Sequence, residues 1–257
     1  MTTRDSAWPD GTPCWVDAMV PDRKRAMDFY GALLGWHFEE GTEETGFYTV
    51  ASLDGRTVAG LMQSMPGQEE MPAVWTAYLA TSDVDKTVEA IAEAGGKVVS
   101  PAMDVMTLGR MAIAEDPAGA VFGLWQAGDH TGFQLANAAG AVTWNEAMSR
   151  DYEAAKAFYT KVFGYVVDDM SAQGFSYATL AVGGNVVGGI GALSEDVPAE
   201  VPAHWSSYFA VPDTDAAVAR VVELGGTSLS PASDSPYGRQ AAVTDDQGAA
   251  FRLISAP

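Results

Sequence analysis

A chain of 257 residues, 47% hydrophobic and 10% aromatic, is long enough for two domains that each bury a core. Its formal charge of −20 and pI near 4.2 argue against nucleic acid, since 14 Lys plus Arg cannot supply the positive footprint that phosphates need. No run approaches the roughly 18 apolar residues of a membrane span, residues 1–10 carry no secretion pattern, and a lone Cys14 excludes an internal disulfide, so a cytoplasmic protein with no membrane partner is expected.

Residues 15–20 alternate as a strand does. Asp22 then caps a helix that turns Ala26, Phe29, Tyr30, Leu33 and Leu34 to one side, and Gly35 ends it. Strands follow at about 36–39, 47–51 and 58–62. A second unit repeats that order: a strand at 74–81, a helix capped by Asp83 with Val84, Val88 and Ile91 inward, a stop at Gly95-Gly96, then strands near 97–99, 110–114 and 120–125. The last is entered through the turn Asp116-Pro117-Ala118-Gly119. Stretches 64–73 and 192–203, with Pro and acids but no Lys or Arg, and the Gly- and Ala-rich 127–141 read as connectors.

Beyond residue 141 the pattern begins again. Trp15, Met19, Phe29-Tyr30 and Gly35 recur 129 residues later as Trp144, Met148, Phe158-Tyr159 and Gly164. Trp75, Tyr78, Asp83, Gly95-Gly96 and Asp116 recur as Trp205, Tyr208, Asp213, Gly225-Gly226 and Asp245. The chain is an internal duplication. The expected fold is α+β, with a first domain over 1–127, a linker at 128–141 and a second domain over 142–257.

Four βαβββ-type units, with Phe-Tyr-x4-Gly closing the first helix of each half and an Asp-Pro-x-Gly or Asp-x-x-Gly turn before its last strand, resemble the vicinal oxygen chelate superfamily, which includes glyoxalase I, extradiol dioxygenases and bleomycin-binding resistance proteins. The resemblance implies that each half curves its sheet into a cup with helices outside, and that metal-dependent members hold a divalent ion on the cup's inner face. The ligand positions it implies fall here at Trp15, Thr76 and Gly123, and at Trp144, Ser206 and Arg252. None offers the imidazole or carboxylate such an ion needs. No metal at the superfamily's place, and no cofactor, is therefore expected.

Strand alternation then places Trp15, Asp17 and Met19 on the inner face of the first cup, with Thr76, Tyr78 and Trp125. The second cup receives Trp144, Glu146, Met148, Ser206, Tyr208 and Arg252, with His204 near its rim. Tyr48 and Tyr177 match across the halves, as do Arg110 and Arg239, the latter pair suited to holding a carboxylate or a turn. Arg252 either neutralises Glu146 or meets a ligand, and His37 and His130 are expected at the surface. Asn145 and Ser149 make the opposite face of the 144–149 strand more polar than a helix-packed face should be.

Rings for stacking and one acid per cup compose a pocket for a small organic molecule, aromatic or cationic. Three functions are compatible with it: a metal-independent binding protein of the sequestering kind, a metal-independent enzyme using Asp17 or Glu146 as general base on a carbonyl or aromatic substrate, and a metal enzyme whose ion sits elsewhere. A monomer or homodimer is expected, and strand counting leaves open whether units pair within a half or exchange.

Overall fold

Aspartates start all four α-helices among the described residues: Asp22, Asp83, Asp151 and Asp213 each accept a bond from the backbone N–H three residues on. Gly35 and Gly164, both left-handed, end the first helix of each half, as expected for a residue without a Cβ. The structure, a computed structural model, describes residues 1–64, 67, 71–195 and 197–256. Parts of the two acidic connectors, residues 65, 66, 68–70 and 196, lie outside the described residues, as does residue 257 of the expected second domain.

The first half runs β1 (Thr2–Thr3), β2 (Pro13–Val20), α1 (Arg23–Leu34), β3 (His37–Glu40), β4 (Thr49–Leu53), β5 (Arg56–Gln63), β6 (Val74–Ala80), α2 (Val84–Glu93), β7 (Lys97–Val105), β8 (Gly109–Glu115) and β9 (Val121–Ala127). After β10 (Leu135–Ala136) the second half follows as β11 (Val142–Ser149), α3 (Tyr152–Phe163), β12 (Val166–Asp169), β13 (Tyr177–Val182), β14 (Asn185–Ala192), β15 (His204–Ala210), α4 (Thr214–Glu223), β16 (Thr227–Ser228), β17 (Ser233–Ser235), β18 (Gly238–Thr244) and β19 (Ala250–Ser255).

Apart from β1 and β10, which pair with each other, these strands make two curved mixed sheets, ordered β3-β4-β5-β2-β6-β9-β8-β7 and β12-β13-β14-β11-β15-β19-β18-β16, with β17 beside β18. Units therefore pair within a half, joined at the antiparallel strands β2 and β6, or β11 and β15. The register sets Trp15 opposite Tyr78 and Asp17 opposite Thr76, and their twins Trp144 opposite Tyr208 and Glu146 opposite Ser206. Directly paired antiparallel residues share a face, so alternation placed these side chains on the intended side. The polar outer face of β11 has its own partners. Buried Asn145 accepts from Ser207 Oγ at 2.7 Å, and Ser149 Oγ donates to the Asp151 carbonyl at 3.2 Å.

The outer faces of the two sheets meet each other. Trp75 and Phe209 lie 5.2 Å apart between ring centroids, Phe29 packs on Phe251 at 6.5 Å, and Phe122 receives Phe158 and Tyr159 at 6.3 and 5.7 Å. Polar groups cross the same seam in pairs. Trp75 Nε1 donates to the Tyr30 hydroxyl, which donates to Asp245 Oδ2, both at 2.9 Å. On the mirror side Trp205 Nε1 donates to the Tyr159 hydroxyl at 2.8 Å, and that hydroxyl neighbours Asp116. Asp116 and Asp245 are the aspartates of the Asp-x-x-Gly turns, and each also accepts two backbone N–H bonds of its own turn through Oδ1. The tyrosine of each Phe-Tyr pair thus meets the turn of the opposite half.

Candidate site in the two cups

At the centre of each cup the same four side chains are joined in the same way. In the first, Trp15 Nε1 donates to the Tyr48 hydroxyl at 2.8 Å, and Tyr48 donates onward to Asp17 Oδ2 at 3.1 Å, while the Tyr78 hydroxyl neighbours the same carboxyl and helps to hold its pKa down. In the second, Trp144 Nε1 donates to Tyr177 at 2.9 Å, Tyr177 donates to Glu146 Oε2 at 2.8 Å, and Tyr208 donates to Glu146 Oε1 at 2.6 Å. Asp17 and Glu146 are both buried, and a carboxyl taken from water is costly unless donors meet it. The two tyrosines supply them.

Glycines make room for this arrangement. Gly60 pairs with Asp17 across β2 and β5, and a Cβ there would collide with the Tyr48 hydroxyl. Gly189, paired with Glu146, does the same for Tyr177. The glycine-rich strand at 185–192 is thin because a tyrosine must lie over it.

Burial governs the titration of the side chains inside the cups. Burial pushes the Asp17 carboxyl up to about 7, although bonds from Tyr78 and Tyr48 pull the other way. Both tyrosine hydroxyls are raised well above their usual value, first by burial and then by the Asp17 charge. Burial and then Glu146 likewise raise Tyr177 and Tyr208.

The remaining expected site residues fall into three groups. Thr76 and Ser206 face their acids from the neighbouring strand, and Met19 and Met148 stand half-buried one pair further along. Trp125 is buried and gives its Nε1–H to the His130 carbonyl at 2.9 Å. At the edge of the second cup His204 is held locally, its Nδ1 2.8 Å from the Pro202 carbonyl. Arg252 forms no ion pair with Glu146 among the described residues; its guanidinium lies over the Tyr208 ring, 5.4 Å from the centroid. In the first half that space is filled differently, since Gly123 allows the Tyr78 ring to lie directly on the strand. Arg110 and Arg239 sit outside the cups, each clamped to two aspartates, Asp85 with Asp104 and Asp215 with Asp234.

One expectation is corrected. His37 is exposed, but His130 is half-buried, its ring centroid 4.3 Å from Trp15 and 5.4 Å from Trp125, and burial lowers its imidazole to about 4. The cause is the path of residues 128–134, which cross the first cup as a strap. His130 N donates to the Leu108 carbonyl, Phe133 N to Cys14 and Gln134 N to Thr57, at 3.0, 2.8 and 2.9 Å. Phe133 thereby packs on Trp15 at 5.6 Å. Neither ring stood in a periodic stretch, so no local signal could have placed them there.

The donor set does not suit the divalent ion that the superfamily resemblance implies. Each cup offers one carboxyl, already engaged by tyrosine hydroxyls, and two indoles, hydroxyls, a glycine and a guanidinium occupy the expected ligand places. Among the described residues no three His, Cys, Asp or Glu side chains converge. No chemical step is therefore assigned to a metal there.

Known proteins place this architecture. The family model described as "Glyoxalase/Bleomycin resistance protein/Dioxygenase superfamily" matches residues 14–124 and again 141–253. The chain is 39% identical over 254 residues to "Putative glyoxylase CFP32" of Mycobacterium tuberculosis, covering 97% of this chain and 96% of that protein. It is 37% identical over 257 residues to "Anthracycline biosynthesis protein DnrV" of Streptomyces peucetius, covering 95% and 93%. In fold it is similar to the Mn(II)-bound glyoxalase from Novosphingobium aromaticivorans, with a TM-score of 0.66 at 16% identity over 96% of this chain and 82% of that one. It is also similar to 2,2',3-trihydroxybiphenyl 1,2-dioxygenase from Sphingomonas wittichii, with a TM-score of 0.65 at 14% identity over 96% and 91%. With both halves matched and relatives aligned along almost their whole length, the chain belongs to the glyoxalase/bleomycin resistance protein/dioxygenase superfamily as a tandem two-domain member.

Proposed function

We propose that this protein binds a small, flat aromatic compound in an aromatic cup without a metal at the superfamily's usual place. The observation that carries the reading is the doubled chain from tryptophan through tyrosine to a buried acid, which in the second cup a second tyrosine also bonds. It is a preorganised polar anchor inside aromatic walls, the composition of a small-molecule pocket. The likeness to a protein named for anthracycline biosynthesis supports a fused aromatic ligand, since anthracyclines are of that class.

A second reading is favoured by one observation, the Asp17 carboxyl at about 7, which suits proton abstraction near neutral pH. In that reading Asp17 or Glu146 is a general base and Tyr78 or Tyr208 donates to the developing oxyanion. The likeness to a protein named as a glyoxylase accords with it.

Titration of the intrinsic tryptophan fluorescence with a hydroxyanthraquinone, followed by chromatographic recovery of the compound, separates the two. Stoichiometric quenching with the compound recovered unchanged is the expected result. Glu146→Gln should then weaken binding about 10- to 100-fold, as loss of a buried carboxyl from a hydrogen-bonded anchor does. Recovery of an altered compound, with turnover abolished in the Asp17→Asn, Glu146→Gln double variant, would move the assignment to the enzyme. Absence of quenching by any aromatic probe would reject the binding reading.

A further inference from the structure

The two cups also differ where the strap runs. In the first half the strap covers Cys14, Trp15 and Thr57: Phe133 N donates to Cys14, His130 and Phe133 pack on Trp15, and Gln134 N donates to the Thr57 carbonyl. Gln134 also accepts the Thr57 N–H through Oε1, and Thr57 Oγ1 donates to the Gly132 carbonyl at 3.3 Å. The twins of those three residues, 129 positions on, are Thr143, Trp144 and Val186. All three line a groove of about 590 Å³ between the second half and the N-terminal arm. Val186 is 56% exposed, Trp144 is half-buried where Trp15 is only 3% exposed, and no aromatic ring packs on Trp144 among the described residues. The groove is the second half's counterpart of the place the strap fills in the first.

The opposite wall tells what would fit. It carries Trp8 and Phe133, edge to face at 6.4 Å, and Arg4, whose guanidinium lies 5.2 Å over the Trp8 ring. Arg4 donates to the carbonyls of Ser6 and Ala7 and pairs with no carboxylate among the described residues, in a chain of net charge −20. Asn137, Thr143 and Asn185 add polar groups along the walls. The volume falls in the range of small-ligand sites, roughly 300–1,000 Å³.

We infer that this groove is a ligand site which takes a flat aromatic molecule with an anionic edge, its ring against Trp144 as His130 and Phe133 lie against Trp15, and its anion toward Arg4. The second half is then the receiving one, and the first is closed by its own chain. The inference rests on the proposed binding of aromatic compounds and adds where the ring lodges and which charge accompanies it.

Isothermal calorimetry with anthraquinone-2-carboxylate tests it, read beside Val186→Trp, which fills the groove from an exposed strand position, and Val186→Glu, which sets a negative charge in it. Thermal melting of both variants checks that they fold. One-to-one binding by the natural protein is expected, weakened at least 10-fold by either change, with the uncharged carboxamide bound more weakly than the acid. Unchanged affinity in both folded variants would overturn the inference while leaving the binding reading standing. A natural protein that binds neither compound would overturn both. Loss of a dimer in Val186→Trp, seen by sedimentation without any ligand effect, would make the groove an interface between copies and overturn the ligand site.

Discussion

Replacing Phe122 with alanine is expected to destabilise the protein by about 3–5 kcal/mol, the range for truncating a fully buried phenylalanine. Phe122 is inaccessible to solvent and stands on the outer face of β9. Its ring neighbours are Phe158, Tyr159 and Phe163, all from α3 of the other half, at 6.3, 5.7 and 6.2 Å. The cavity therefore opens in a core that neither half owns. Urea unfolding followed by tryptophan fluorescence and by far-ultraviolet circular dichroism should show one coincident transition, moved to lower denaturant. Two separated transitions, with the second half unaffected, would show that the halves are independently stable and that the seam contributes little.

A second large effect is expected from pH. The folded Asp17 carboxyl titrates at about 7 against an ordinary value of 3.8, so between those values the folded chain holds a proton that the unfolded chain has lost. The contribution of Asp17 to stability is thus least unfavourable below about pH 4, and the penalty grows as pH rises through 7. Three pK units correspond to at most about 4 kcal/mol. His130 works in the opposite direction: its folded value of about 4 lies below the ordinary 6.5, so stability it contributes near neutrality is lost as pH falls through that interval. The two groups flank Trp15 and partly cancel. In Asp17→Asn the Asp17 half is removed, so its stability relative to the natural protein should climb from pH 4 to pH 8, by up to about 4 kcal/mol. Urea midpoints at closely spaced pH values measure this, and parallel profiles for the two proteins would show that Asp17 titrates as an ordinary carboxylate.

Much of the framework was legible in the order of residues. The duplication, the aspartate caps at Asp22, Asp83 and Asp213 and the glycine stops are local signals with local causes, and each appears where it was read. Alternation along β2 and β11 was enough to set Trp15, Asp17, Trp144 and Glu146 on one face, because in a strand the side of a residue depends only on its parity. Matching the halves even pointed to Tyr48 and Tyr177, without telling that each would bridge an indole to an acid. Arg252 was open between two partners, and the structure lays it on the Tyr208 ring rather than on Glu146.

What tertiary structure alone decided has a common physical origin: contacts between segments far apart in the chain, whose energies depend on how surfaces dock and leave no periodic trace. The Phe-Tyr and Asp-x-x-Gly signatures were visible as motifs, yet that Tyr30 reaches Asp245, 215 positions away, follows only from the packing of one sheet's back against the other. The same docking sends residues 128–134 across the first cup, burying His130 where composition suggested a solvated connector, and leaves the matching place in the second half as a groove. Sequence fixed the symmetry of the two halves because local rules act on each copy alike; the asymmetry came from a segment that exists between the copies and can lie on only one of them.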